Sequence, residues 1–120
     1  MTVAIPAAQR MDLERYGLMA LIRELETEAE RQYKLARIGG YCHLSSGQEA
    51  ITVAAAQALR EEDLLVTGYR CHGFALARGV APEAVMAELF GKSSGCAHGR
   101  GGSMHLLDAD LHRRDDRRTP

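Results

Sequence analysis

The sequence predicts an α/β fold that is mostly helical and contains one short strand. Apolar residues recur at helical spacing over residues 12–37, and an alanine-rich segment with helical character follows at residues 50–60. The brief apolar run at residues 64–67, which follows a polar turn, is the best strand candidate in the chain. We therefore expect several helices packed together, with a minor β component.

Length and composition indicate a single globular domain. The chain has 120 residues, a formal net charge of −1, 46% hydrophobic and 26% charged residues, which is typical of a folded protein with a modest core. The near-neutral charge argues against a nucleic-acid partner. No apolar run approaches the roughly 20 residues that cross a bilayer, and a signal-peptide pattern is absent, so we expect no membrane partner. Three cysteines are too few for a disulfide framework and indicate a reducing, cytoplasmic location.

The first helix is expected over residues 12–37, after a flexible lead-in at residues 1–10. Its apolar stripe comprises Leu18, Leu21, Ile22, Leu25, Ala29, Tyr33 and Ala36. The charged residues fall mainly on other faces, namely Arg23, Glu26, Glu30, Arg31 and Lys34. Asp12 is the expected N-cap, and Gly39 and Gly40 are expected to end the helix because glycine adopts the left-handed conformation readily.

The alanine-rich segment is expected to form the second helix, ending near Arg60. Two capping boxes are possible at its start, either Ser46 with Glu49 or Ser45 with Gln48. Its small side chains would permit close approach to a neighbouring helix.

Two shorter helices and a charged tail are expected in the rest of the chain. The helices cover residues 72–78, closed by Gly79, and residues 82–90, closed by Gly91. Residues 108–120 carry four Asp and four Arg with little apolar content, a composition typical of a solvated, disordered tail.

Polar groups follow the predicted strand and recur in a glycine-rich loop. Tyr69 and Arg70 come at the carboxyl end of the strand, where ligands of open α/β sheets bind. The loop at residues 91–102 contains five glycines and the basic or titratable residues Lys92, His98 and Arg100. Glycine lets a backbone approach an anion closely, and arginine forms bidentate contacts with phosphate. We therefore expect this region to contact a phosphorylated cofactor.

Three histidines, His43, His72 and His105, flank this region. A histidine can move protons near neutral pH or hold a substrate carboxylate. Each candidate also has an ordinary structural explanation, with Tyr69 partly in the core, Arg70 a surface cation and the histidines loop residues. The combination of a Tyr-Arg pair, a glycine-rich loop and flanking histidines is what favours a site.

Two other kinds of site are less well supported. The Gly-Lys-Ser at residues 91–93 is not a nucleotide-triphosphatase phosphate loop, because Met86 stands where that motif needs glycine. Cysteine and histidine pair at Cys42-His43, Cys71-His72 and Cys96-Ala97-His98. Adjacent Cys and His side chains point apart, whereas zinc sites use spaced pairs. Buried cysteines acting as small hydrophobes are the preferred interpretation, zinc binding is the minor alternative, and we assign no metal ligand.

Three ordered motifs resemble the thiamine-diphosphate-dependent 2-oxo acid dehydrogenase family. They are IGGYCHLSSGQEAITVAAAQAL, LLVTGYRCHGFALARGV and VMAELFGKSSGCAHGRGGSMHL. Within the family, Tyr-Arg followed by x-His-Gly is similar to the pyruvate-type α-subunits. The acetoin type tends to carry Thr-His-Arg there, and the branched-chain type has a different segment in place of Gly-Arg-Gly-Gly-Ser-Met-His.

The resemblance implies an incomplete thiamine-diphosphate-binding domain over residues 11–107. The enzyme that it implies oxidatively decarboxylates a 2-oxo acid and transfers the acyl group to lipoamide. The implied cofactors are thiamine diphosphate and Mg²⁺, and the implied partners are a β-subunit, a second α-subunit in an α₂β₂ tetramer and a lipoyl acyltransferase. By position, Tyr69 and Arg70 match residues that contact the diphosphate. His43 matches a histidine on the substrate side and is the candidate catalytic residue.

The sequence departs from the family pattern at the metal site. Family members carry a Gly-Asp-Gly…Asn-Asn signature that holds Mg²⁺, whereas this sequence has no Gly-Asp-Gly and no asparagine. The resemblance therefore implies a truncated α-subunit, ended by a natural stop or a frameshift and inactive alone. The alternatives are a non-catalytic helical interaction fragment and an α-subunit of the acetoin dehydrogenase type.

Overall fold

The computed structural model describes residues 5–107, and this part of the chain is mostly helical. Its elements are α1 (Ala7–Lys34), α2 (Glu49–Ala58), α3 (His72–Ala77), α4 (Pro82–Leu89) and a short 3-10 helix (Gly102–Met104). The predicted tail at residues 108–120 lies outside the described residues. Among the helices of residues 5–107, none combines the length and the apolar character needed to cross a bilayer.

The predicted strand at residues 64–67 is not formed in the described structure, where these residues have no regular secondary structure. The side chains of Leu64 and Val66 are 72% and 92% exposed, so the segment is poorly covered. A strand needs a neighbour that pairs its N–H and C=O groups, and residues 5–107 contain no second strand. The mostly helical character of the predicted fold is confirmed.

Helix α1 begins earlier than the sequence indicates. Its first residue, Ala7, lies inside the predicted lead-in, and Pro6 precedes it without a side-chain cap. The fixed φ angle and missing N–H of proline are tolerated at a helix start. Asp12, the expected N-cap, therefore lies in the second turn, where it pairs with Arg15 at 3.2 Å.

Helix α1 also ends earlier, through Ala36 rather than the glycine pair at residues 39–40. The φ angle of Ala36 is +56°, a left-handed conformation that glycine adopts more readily. The N–H groups of Ala36 and Arg37 donate to carbonyls of the last helical turn at 2.9 and 3.1 Å. This pattern is a Schellman motif, with alanine at the position that usually carries glycine.

Helix α2 begins without either predicted capping box, and Gln48 precedes it with no side-chain cap. The Ser45 hydroxyl instead donates to Glu26 at 2.6 Å. Glu49 accepts two hydrogen bonds from the Arg23 guanidinium at 2.5 and 3.0 Å, which lower the pKa of Glu49 to about 2. The polar side chains at this helix start therefore join α2 and its preceding link to α1.

Glycines close α3 and α4, as predicted. Gly79 and Gly91 follow these helices with φ angles of +96° and +67°. Their backbone N–H groups donate to carbonyl oxygens of the last turn of each helix. Pro82 stands at the start of α4, where its missing N–H costs no helical hydrogen bond.

Helix α1 packs against the other helices and supplies one side of the core. The main apolar cluster comprises Ile22, Leu25, Val53, Leu76, Val80 and Val85. A smaller cluster comprises Ala29, Ile38 and Leu89. Gly73 lets α1, α2 and α3 approach closely, because a Cβ there would lie 3.0 Å from the Thr52 methyl and 3.2 Å from the nearer Ile22 methyl. The centre of the predicted α1 stripe is therefore buried as expected.

The glycine-rich loop after α4 surrounds the buried carboxylate of Glu88. One Glu88 oxygen accepts the N–H groups of Ala97 and Gly99, both at 2.8 Å, and the other accepts those of Gly101 and Gly102 at 2.7 and 3.1 Å. Burial alone would raise the pKa of Glu88, but the four backbone N–H groups outweigh burial and hold the pKa below its ordinary value. The loop binds an anion through its backbone, and that anion belongs to its own chain.

These four N–H groups already donate to Glu88, so they are not available to a phosphorylated cofactor. Two of the glycines are required by close approaches of the loop, Gly95 to α4 and Gly99 to the first residues of the loop itself. A Cβ at Gly95 would lie 2.6 Å from the Glu88 Cα, and a Cβ at Gly99 would lie 2.6 Å from the Gly91 backbone. The glycine spacing therefore reflects packing around Glu88.

Replacing Glu88 with glutamine tests this role. Glu88→Gln removes the charge and turns one acceptor oxygen into an NH₂ group facing backbone N–H donors. We therefore expect the free energy of unfolding to fall by about 2–4 kcal/mol. Urea unfolding followed by circular dichroism measures the change. The control is Glu83→Gln, on the exposed side of the same helix, which should cost less than about 1 kcal/mol. Equal stability of the two variants would contradict the role given to Glu88.

Candidate functional site

The three site residues predicted from the sequence lie together. The His43 ring, in the link before α2, has its centroid 5.1 Å from that of Tyr69. The Arg70 guanidinium carbon lies 5.6 Å from the Tyr69 ring centroid, within the range of a cation–π contact. Tyr41, which the sequence did not mark as functional, stacks on His43 with the ring centroids 5.9 Å apart. A histidine, two tyrosines and an arginine therefore form one cluster.

The cluster is open to solvent, with Tyr69 and Arg70 exposed and His43 half-buried. The φ angle of Arg70 is +63°, a conformation that costs a non-glycine residue about 1–2 kcal/mol. Within residues 5–107, no carboxylate forms an ion pair with the Arg70 guanidinium. Arg70 is therefore an uncompensated cation beside a phenol and an imidazole, which suits an anionic ligand.

A buried series of hydrogen bonds connects α1 to the backbone of His43. Glu26 Oε2 lies 3.0 Å from His72 Nδ1, and His72 Nε2 lies 2.8 Å from Ser103 Oγ. The Ser103 hydroxyl oxygen accepts the His43 N–H at 2.9 Å. Glu26 and His72 are fully buried, and Ser103 is buried. These hydrogen bonds therefore join three elements behind the cluster, namely helix α1, the first residue of α3 and the 3-10 helix.

The Glu26 carboxylate sets the direction of these hydrogen bonds because a carboxylate can only accept. It accepts the Ser45 N–H at 3.2 Å and the Ser45 hydroxyl at 2.6 Å, and it faces His72 Nδ1. Burial alone would raise the pKa of Glu26, but the hydrogen bonds from His72 and Ser45 outweigh burial and lower the pKa. With the His72 proton on Nδ1, Nε2 accepts the Ser103 hydroxyl, which leaves a Ser103 lone pair for the His43 N–H.

The cysteines do not form a metal site in the described part of the chain. Within residues 5–107, no group of three or more His, Cys, Asp or Glu side chains is placed to hold a metal ion. Cys42 and Cys71 are not in disulfide bonds. Burial raises the pKa of the Cys42 and Cys71 thiols, so both favour the protonated form. Cys71 also donates to the Ser103 carbonyl at 3.6 Å.

Two of the histidine candidates lie elsewhere, and two important residues were missed. His72 is buried behind the cluster rather than lining it, and His105 is exposed after the 3-10 helix. The missed residues are Glu26 and Ser103. A signal for Glu26 was present, because it lies four residues after Ile22 and three before Ala29, within the apolar stripe. The prediction that Glu26 lies on a face of α1 other than the apolar stripe is therefore wrong.

A pH titration of stability tests the ionised state of Glu26. Because the pKa of Glu26 is below its ordinary 4.5 in the folded chain, its contribution to stability is complete above about pH 4.5 and is lost as the pH falls through the folded pKa. Glu26→Gln should cost about 2–4 kcal/mol at pH 7, and this difference from the native chain should narrow below about pH 4.

Urea unfolding at pH 7, 5, 4 and 3 measures this difference. Glu24→Gln, on the exposed side of the same helix, is the control and should change stability by less than about 0.5 kcal/mol at pH 7. A cost of Glu26→Gln that stays constant down to pH 3 would show that Glu26 is not buried as a carboxylate.

The chain matches known proteins of one family. The family model described as Dehydrogenase E1 component matches residues 17–116. The chain is 48% identical over 94 residues to the mitochondrial pyruvate dehydrogenase E1 component subunit alpha of Saccharomyces cerevisiae, covering 78% of this chain and 22% of that protein. It is 48% identical over 101 residues to the pyruvate dehydrogenase E1 component subunit alpha of Rhizobium meliloti, covering 84% and 29%.

A human relative gives the same result. The chain is 44% identical over 100 residues to the somatic, mitochondrial pyruvate dehydrogenase E1 component subunit alpha of Homo sapiens, covering 83% of this chain and 26% of that protein. The chain thus spans about a quarter of the length of these relatives. Since the family model covers most of the sequence, including all three motifs and the His43, Tyr69 and Arg70 cluster, the chain belongs to the Dehydrogenase E1 component family.

Proposed function

We propose that the chain contributes part of the α-subunit of a pyruvate dehydrogenase-type E1 component. That component oxidatively decarboxylates a 2-oxo acid and transfers the acyl group to lipoamide. Family membership and the names of the relatives support the proposal. The observation that carries it is the cluster itself, in which exposed Arg70 lies beside Tyr69 and His43 without a carboxylate partner in the described residues.

Thiamine diphosphate is the proposed cofactor, and Arg70 and Tyr69 fit its diphosphate. An arginine guanidinium can donate two parallel hydrogen bonds to phosphate oxygens, and a phenol adds a neutral donor. The sequence lacks the Gly-Asp-Gly…Asn-Asn signature that the family resemblance links to Mg²⁺, and residues 5–107 hold no group of three or more His, Cys, Asp or Glu side chains placed to bind a metal ion. We therefore assign none of the Mg²⁺ ligands to this part of the chain.

Each residue of the cluster has a proposed task. When bound, thiamine diphosphate supplies the carbanion stabilisation that decarboxylation of a 2-oxo acid requires. Arg70 neutralises diphosphate charge, and Tyr69 both donates a hydrogen bond and packs against His43. The His43 imidazole is placed to hold the substrate carboxylate or to move a proton, and Tyr41 limits the movement of its ring.

The proposed partners are a β-subunit and a second α-subunit in an α₂β₂ tetramer, with a lipoyl acyltransferase as the acyl acceptor. By the family resemblance, the β-subunit contributes the glutamate that activates the cofactor. The largely exposed side chains of Ile51, Leu64 and Val66 support contact with a partner. A cytoplasmic location is proposed because three cysteines are too few for a disulfide framework and suit a reducing compartment.

Calorimetry with thiamine diphosphate and Mg²⁺ tests the proposal. We expect binding when the β-subunit is present, and we expect Arg70→Ala to weaken the affinity at least about 10-fold, since hydrogen bonds to charged groups contribute about 1.5–3 kcal/mol. Arg10→Ala, which removes an exposed arginine near the start of α1, is the matched control and should leave the affinity unchanged.

Two results would contradict the proposal. One is equal affinity of the Arg70→Ala variant and the native chain. The other is the absence of cofactor binding under every condition although the chain binds the β-subunit, which would favour the helical interaction fragment.

A further inference from the structure

The backbone of His43 is held by the Ser103 side chain, to which the proposed function assigns no role. Ser103 and His43 are 60 positions apart, yet the Ser103 hydroxyl oxygen accepts the His43 N–H at 2.9 Å. This hydrogen bond joins the link carrying His43 to the 3-10 helix that follows the glycine-rich loop. Ser103 is 5% exposed, so water competes poorly for its hydroxyl.

The orientation of the Ser103 hydroxyl depends on residues farther inside. His72 Nε2 lies 2.8 Å from Ser103 Oγ, and Glu26 Oε2 lies 3.0 Å from His72 Nδ1. Because the Glu26 carboxylate only accepts, His72 Nδ1 donates to it, and in the neutral ring Nε2 then accepts the Ser103 proton. The Ser103 lone pairs then face the His43 N–H. Within residues 5–107, every buried side-chain nitrogen and oxygen atom has a hydrogen-bond partner.

We propose that Ser103 is a positioning residue whose hydroxyl, oriented by His72 and Glu26, holds the His43 backbone so that the His43 ring lies against Tyr69. This inference rests on the proposed function, in which His43 and Tyr69 face the ligands. It assigns tasks to Ser103, His72 and Glu26 that the resemblance to the family does not supply. All three are buried, so we assign none of them a contact with the proposed ligands and none is a catalytic residue.

The same three side chains, Ser103, His72 and Glu26, also occur together as nucleophile, base and orienting acid in acyl hydrolases. Here the serine is buried and its oxygen accepts the His43 N–H, so a substrate carbonyl cannot approach it. Ser103 should therefore not react with a fluorophosphonate probe, and labelling at Ser103 would overturn the positioning role.

The direct test compares Ser103→Ala with the native chain by NMR. Loss of the hydroxyl should speed hydrogen exchange of the His43 amide about 10-fold or more, because a hydrogen bond in a buried site is lost. The nuclear Overhauser contacts between the His43 and Tyr69 rings should weaken in the same variant. Should Ser103→Ala fail to fold, Ser103→Cys, which keeps the side-chain shape with a much weaker hydrogen-bonding group, carries the same comparison.

Two controls separate positioning from general destabilisation. Ser94→Ala makes the same change at an exposed serine of the preceding glycine-rich loop and should leave the His43 signals unchanged. Val85→Ala removes a fully buried core side chain and should lower global stability without a selective effect on His43. An unchanged His43 amide and unchanged ring contacts in the Ser103 variant would overturn the proposal, as would equal changes in Val85→Ala.

The NMR result is independent of the cofactor, so the two proposals can fail separately. If the native chain binds no thiamine diphosphate but Ser103→Ala releases His43, the proposed function fails and the positioning contact stands. If the native chain binds the cofactor with the β-subunit and Ser103→Ala leaves His43 unchanged, the function stands and the positioning proposal fails.

Discussion

A carboxylate buried on α1 constrains the structure around the candidate site. Removing an ionised carboxylate from water costs several kcal/mol unless donors replace its hydration. Glu26 is fully buried, and its donors come from Ser45 in the link before α2 and from His72 at the start of α3. Three segments that are distant in sequence must therefore meet at one point for the charge to be tolerated. The cluster of His43, Tyr69 and Arg70 lies directly beyond that point.

A second buried glutamate does the same for the glycine-rich loop. Glu88 accepts hydrogen bonds from four backbone N–H groups of the loop. These bonds satisfy N–H groups that would pair with backbone carbonyls in a helix. The loop then leads into the 3-10 helix that carries Ser103. The two glutamates thus fix irregular backbone on both sides of the cluster, whereas the apolar core consists mainly of helix residues. Functional side chains commonly lie on irregular segments that a rigid scaffold positions.

The sequence predicted best those features that depend on single residues or on neighbours along the chain. The ends of α3 and α4 followed from Gly79 and Gly91, since glycine is favoured where φ is positive. The proximity of His43, Tyr69 and Arg70 followed from the family resemblance rather than from spacing alone. The strand at residues 64–67 was not formed because strand pairing depends on a neighbour that residues 5–107 do not contain.

Tertiary contacts explain the features that could not be predicted. The left-handed Ala36 carries no compositional signal, because alanine is ordinarily a helix former. Glu26 and Glu88 resemble surface charges until the donors that surround them are known, although the position of Glu26 within the apolar stripe of α1 gave a hint. The role of Ser103 could not be predicted from the sequence because its partners, His43 and His72, are 60 and 31 positions away.

Protonation of the His72 ring tests most directly whether Glu26 organises this region. Nitrogen-15 NMR of the imidazole distinguishes the two ring nitrogens and shows which one carries the proton. We expect the proton on Nδ1, exchanging slowly with water, and an unprotonated Nε2 that accepts from Ser103. A proton on Nε2 alone, or a ring proton that exchanges as fast as that of an exposed histidine, would contradict the buried series from Glu26 to His43.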